Sequence, residues 1–127
     1  MAVPTRSSVD PYLTLEARTH RRTALVAVQG ELDLLTVPAL AEVLDDLDAH
    51  TVGLRHIVLD LRGVTFMDLL GVHELVRRNE LARISRHNLA VVRGTPAVDR
   101  LLHLTGVEDT LVLVDNPADL APPVLTR

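Results

Sequence analysis

Three aspartates are the groups best placed to do chemistry: Asp33 in Gly30-Glu31-Leu32-Asp33, Asp60 in Ile57-Val58-Leu59-Asp60, and Asp68 in Phe66-Met67-Asp68. Each stands at or near the end of an apolar run that reads as a strand, and parallel sheets meet their ligands beyond the carboxyl ends of strands. Asp60 has the setting of a receiver-domain phosphate acceptor. That chemistry needs a lysine partner, and all 13 basic residues are Arg. The absence of Lys also removes Schiff-base and phosphate-loop chemistry. Asp33 and Asp68 remain, each with two readings. Asp33 is a turn residue or a binding contact. Asp68 is a helix N-cap, a role worth about 1 kcal/mol, or a binding contact.

Other chemistries find little support. Ser7 and Ser8 lie near the N-terminus, and Ser85 sits in Arg83-Ile84-Ser85-Arg86-His87, unlike a nucleophile elbow. No two of the six histidines (20, 50, 56, 73, 87 and 103) are four residues apart. With no Cys in the chain, neither a metal site nor thiol chemistry is expected. The segments 30–36, 63–71 and 93–96 carry no dinucleotide or phosphate-loop fingerprint, so no cofactor is expected. The net charge of −4 argues against nucleic acid. No apolar run reaches the roughly 20 residues that span a bilayer, and the N-terminus has no apolar signal core, so a cytoplasmic location is expected.

These groups need a scaffold. At 127 residues and 47% hydrophobic content, the chain suits one domain with its own core. Residues 1–10 are small, polar and aperiodic and read as a flexible tail. Residues 117–127 contain three prolines and read as a second one. The domain is therefore expected over residues 11–116.

Within it two periods alternate. Residues 12–17 alternate as a half-exposed strand, and Ala24-Leu25-Val26-Ala27-Val28 suits a central strand. A helix follows over residues 36–49, with Thr36 as N-cap, Pro38 in the first turn, and Val37, Leu40, Ala41, Leu44 and Leu47 facing inward. Residues 57–61 form a buried strand. Asp68 then caps a second helix with Val72, Leu75, Val76, Asn79 and Ala82 inward and Glu74, Arg77, Arg78 and Glu80 outward. A strand over residues 89–92, a helix opened by Thr95-Pro96 and stopped near Gly106, and a strand over residues 111–114 complete the chain. The order ββαβαβαβ makes the fold α/β. It predicts a mixed, mainly parallel sheet whose first hairpin supplies an antiparallel edge, with helices packed on it.

The stretch Val58-Leu59-Asp60-Leu61-Arg62-Gly63-Val64-Thr65-Phe66-Met67-Asp68 resembles the STAS superfamily and, within it, the bacterial anti-sigma factor antagonists, or anti-anti-sigma factors. Gly30-Glu31-Leu32-Asp33 with Thr36 and Pro38 resembles the family's second-strand exit and first helix. Phe66-Met67-Asp68 with Gly71 resembles its signature loop, and Thr95-Pro96-Ala97-Val98 to Leu104-Thr105-Gly106 its last helix. The similarity covers residues 12–115 in order.

The resemblance implies a single STAS-like domain that is not an enzyme. It implies a protein that binds an anti-sigma factor, often itself a serine kinase, and so releases a sigma factor for transcription. Partner contact is expected at Asp33, Thr36, Thr65, Asp68, Leu69, Leu70 and Gly71. The family's switch is phosphorylation of a serine directly after the signature aspartate, a position where a phosphate would meet a helix N-terminus. Here that position is Leu69, followed by Leu70, so the switch cannot operate there. Thr65 is the nearest hydroxyl and the remaining candidate for modification, its plainer role being packing or a turn hydrogen bond. Leu69 is expected to be exposed. The alternative is a STAS-like interaction subunit of a transporter or signalling assembly, for which Leu69 and Leu70 would be a docking patch.

Overall fold

The computed structural model describes residues 3–9, by their backbone, and residues 11–119. The order is β1 (Val3–Val9), β2 (Leu13–His20), β3 (Thr23–Leu32), α1 (Val37–His50), β4 (His56–Met67), α2 (Leu69–Ile84), β5 (Asn88–Val92), α3 (Pro96–Leu104) and β6 (Val112–Val114), with 3-10 turns at Val107–Asp109 and Pro117–Asp119. One six-stranded sheet runs β1-β2-β3-β4-β5-β6. Strands β1 and β2, and β2 and β3, pair antiparallel, and β3 to β6 are mutually parallel.

Each helix joins two neighbouring parallel strands and steps the same way along the sheet. Right-handed crossovers therefore place all three helices on one face. The alternation of buried side chains agrees: Leu13, Leu15 and Ala17, then Ala24, Val26 and Val28, then Ile57, Leu59 and Leu61 form one core with Leu40, Val43, Leu44 and Leu47 of α1. Val72, Leu75 and Ala82 of α2 and Val98 and Leu102 of α3 complete it.

Four expectations change. Residues 3–9, expected as a tail, pair antiparallel with β2, so the edge is β1 and the first hairpin lies inside the sheet. Of the expected C-terminal tail, Pro117–Asp119 form a turn, and residues 120–127 lie outside the described residues. Strand β4 runs to Met67, well past the expected end at residue 61, because its pairing with β3 absorbs irregularities around Gly63 and Val64 and continues. Asp60 is consequently mid-strand. Finally, Glu74 and Arg78 are buried at 3% and 4% exposure although their charge suggested an outward face. Helix α2 packs against both the sheet and α1, and Arg78 links the two helices by donating to Asp45 of α1 at 2.8 Å while also donating to Glu74 of its own helix at 3.4 Å. Asn79, expected on the inner stripe, is half-buried and donates to the Thr110 carbonyl at 3.4 Å.

Candidate functional site

Strands β3 and β4 end side by side. Leu32 is the register partner of Met67, and the Asp68 amide donates to the Leu32 carbonyl at 3.1 Å. The segments that follow, residues 33–36 and residue 68, therefore lie next to each other and start α1 and α2. Two glycines permit this crowding. Gly30 has φ +111°, a conformation that suits a residue without Cβ, and a Cβ there would strike the Tyr12 backbone. A Cβ on Gly71 would lie 2.6 Å from Met67 Cγ and 3.3 Å from Leu32, so any larger residue in the first turn of α2 would have to displace its neighbours on the strand ends.

The β3–α1 loop is tied by one aspartate and one threonine. Asp33 Oδ1 accepts from the Leu35 amide at 3.0 Å and the Thr36 amide at 3.2 Å. The Thr36 hydroxyl donates to the Glu31 carbonyl at 2.6 Å and accepts from the Asp33 amide at 3.0 Å. Thr36 is the N-cap residue, as expected, yet its side chain caps no helical N–H; it is 1% exposed and knots the loop from within. The start of the helix relies on Pro38 in its first turn and on the Asp33 carbonyl, which accepts from the Val37 amide at 2.9 Å.

The β4–α2 junction is a single residue. Asp68 is an N-cap in extended conformation, its Oδ1 accepting from the Leu70 amide at 2.9 Å and the Gly71 amide at 3.2 Å. Leu69, the first residue of α2, is 65% exposed and Leu70 is 41% exposed. Thr65 is exposed and its hydroxyl donates to the Gly30 carbonyl at 3.3 Å, which ties β4 to β3. The residues singled out from the sequence, Asp33, Thr36, Thr65, Asp68, Leu69, Leu70 and Gly71, thus gather at one end of the sheet. Their polar groups mostly serve backbone, while the outward surface is aliphatic. The segment 93–96 reaches the same end beside β4, with the Thr95 hydroxyl donating to the Val64 carbonyl at 3.0 Å.

Sequence reasoning missed three neighbours. Leu34, Leu35 and Phe66 are 68%, 78% and 49% exposed. A leucine pair after a strand reads as core in one dimension; only its place in a turn too short to fold inward signals exposure.

Asp60 differs from the other two aspartates. Its carboxylate takes a forked contact from Arg62 Nε and Nη2 at 3.0 and 2.8 Å, on the face away from the helices. Burial, the largest single influence, pushes its pKa up, but the hydrogen bonds and charge of Arg62 together outweigh it and hold the carboxyl below its ordinary value. Among the described residues, no three His, Asp or Glu side chains gather as metal ligands would, and no helix is long and apolar enough to cross a membrane.

Comparison with known proteins gives a consistent picture. The family model for the STAS domain matches residues 14–120. The chain is 31% identical to the anti-sigma F factor antagonist of Paenibacillus polymyxa over 104 residues, 82% of this chain and 88% of that protein. It is also 31% identical to the anti-sigma-B factor antagonist of Staphylococcus aureus over 99 residues, 78% of this chain and 90% of that protein. A crystal structure of an anti-sigma factor antagonist from Mycobacterium paratuberculosis superimposes with a TM-score of 0.71 at 28% identity, covering 88% of this chain and 93% of the other. The fold is shared with SpoIIAA in its unphosphorylated form, at a TM-score of 0.63 and 17% identity, covering 84% and 91% of the two chains. The βββαβαβαβ order, the strand exit at Asp33 and the helix start after Asp68 therefore have one explanation: this chain belongs to the STAS domain family, among the anti-sigma factor antagonists.

Proposed function

We propose that this protein binds an anti-sigma factor through the paired ends of β3 and β4, promoting sigma-factor release, and that it does so without a phosphoserine switch. The observation that carries the reading is Leu69. It opens α2 directly after Asp68, is 65% exposed, and has no oxygen to accept a phosphate. In the family pattern this position holds the serine that toggles binding. A phosphate there would stand at a helix N-terminus beside Asp33 and Asp68, placing nearly two further negative charges on the contact surface. With leucine in place, the surface keeps one charge state.

In this reading Leu69 and Leu70 contact the partner, while Asp33, Thr36, Thr65, Asp68 and Gly71 set the shape of the surface from behind. The protein acts by association in the cytoplasm, with no catalytic step of its own. Titration calorimetry against the anti-sigma factors encoded in the same genome tests the first part: one binds, and Leu69→Asp weakens it by setting a charge in an apolar contact. Incubation with the partner kinase and ATP tests the second: mass spectrometry finds no phosphate on residues 65–71. Phosphate on Thr65 would overturn the missing switch. Binding to a transporter subunit and to no anti-sigma factor would assign the protein to a different assembly.

A further inference from the structure

Ten large hydrophobic side chains are exposed among the described residues, and six of them share one end of the molecule: Tyr12, Leu34, Leu35, Phe66, Leu69 and Leu70. Tyr12 and Phe66 are the chain's one Tyr and one Phe, and there is no Trp. Strand register places the six together. The Glu31 amide donates to the Tyr12 carbonyl at 2.8 Å, and Glu31 is the register partner of Phe66, so Tyr12, Glu31 and Phe66 form one row across β2, β3 and β4. Leu34 and Leu35 follow in the next loop, and Leu69 and Leu70 open α2.

Exposed apolar side chains gathered at one end of a molecule mark contact with another macromolecule, and aromatic side chains are enriched where such contacts are strongest. The segments that carry these side chains are acidic, and the neighbouring Arg62 and Arg93 are each paired with a carboxylate, Asp60 and Asp115. Segments 30–38 and 63–72 contain Glu31, Asp33 and Asp68 and no Arg or His. A second copy docking by symmetry would bring these carboxylates against their own kind. A basic-rimmed partner would not.

We propose that the docking surface extends from α2 across β4 and β3 to Tyr12, and that its occupant is an apolar face of the anti-sigma factor ringed by basic side chains. This rests on the function proposed above and adds the composition of the contact: mainly hydrophobic, anchored by Leu35 and Phe66, and independent of any phosphate.

Calorimetry with the anti-sigma factor that binds the wild-type protein tests it, using Leu35→Ser, Phe66→Thr and Tyr12→Ser. All three residues are at least 49% exposed, so the variants keep the fold, and thermal melting provides the control. Leu35→Ser and Phe66→Thr each raise Kd about 10-fold or more, the behaviour of interface anchors. Wild-type binding has a negative heat-capacity change that shrinks in both variants. If these variants bind as the wild type does while Leu69→Asp weakens binding, the surface ends at α2 and this inference fails, leaving the functional reading intact. If the wild type binds no anti-sigma factor, both fail together. Sedimentation of the protein alone supplies the last check: a dimer that Leu35→Ser dissociates would make the occupant a second copy and overturn the one named here.

Discussion

Two helices begin at the same end of this molecule, each after an aspartate that follows a strand, yet they are built differently. Helix α1 is reached through a turn whose threonine is sealed inside and takes part in a closed set of hydrogen bonds with Asp33 and Glu31. Helix α2 is reached through Asp68 alone, with its two leading leucines in solvent. The start of α1 is a knot and the start of α2 a ledge. The contrast separates two jobs that one residue type performs in both places. The aspartates are occupied by neighbouring amides, so the surface left for a partner consists of the side chains they hold up.

Substitutions should separate knot from ledge by size of effect. The largest loss is expected at the knot. Thr36→Val leaves the partly buried Asp33 amide and Glu31 carbonyl without their hydroxyl partner, which should cost about 2–3 kcal/mol, read as a lowered urea midpoint at unchanged slope. Equal midpoints for Thr36→Val and the wild type would show that the knot contributes nothing. Next comes Gly71→Ala, which drives a methyl group against Met67 and Leu32. About 1–3 kcal/mol is expected by thermal or urea unfolding, the usual cost of overfilling a packed site. A smaller loss would mean that the flexible Met67 side chain gives way.

Asp68 should be milder still. Asp68→Ala removes one capping acceptor at a cost of about 1 kcal/mol, whereas Asp68→Asn, an equally good cap, should stay within a few tenths. If Asp68→Asn keeps stability but loses affinity for the anti-sigma factor, the charge itself meets the partner, and the ledge is more than a support. The smallest effect belongs to Asp60, an aspartate that engages a guanidinium rather than amides. Its pKa is lowered in the folded state, so its contribution is present above the ordinary carboxylate pKa and disappears as pH falls through the folded value. The pair is partly exposed, and Asp60→Asn should therefore cost under about 1 kcal/mol at pH 7. The difference from wild type should vanish in acid; a constant difference across pH would assign the effect to packing.

How far the chain can be read by eye follows the same division. Apolar periodicity locates α1 within one residue at each end, because Leu40, Leu44 and Leu47 repeat at the spacing of a helix against a sheet. Asp68 as a cap is equally legible, since its side chain acts on its own next turn. Features that depend on distant neighbours are not. Strand β1, Val-Pro-Thr-Arg-Ser-Ser-Val, has no alternation to betray it and is defined by backbone pairing with β2. Gly63 looks like a stop, yet β4 continues through it because β3 runs alongside. Glu74 and Arg78 carry the charge of surface residues and are buried by a helix more than twenty positions away in the chain. At the site, Asp33, Thr36, Thr65, Asp68, Leu69, Leu70 and Gly71 are found from the family pattern, while Leu34, Leu35 and Phe66 are not, because hydrophobicity alone does not say which way a side chain faces.

The one-residue junction between β4 and α2 has a last consequence. A strand of 12 residues and a helix of 16 meet with no slack between them, and the glycine at the third helical position rests directly on the strand ends. Leu69 is thus mounted on framework rather than on tether. A partner landing there, as proposed above, would find the shape already made and would surrender little freedom on docking.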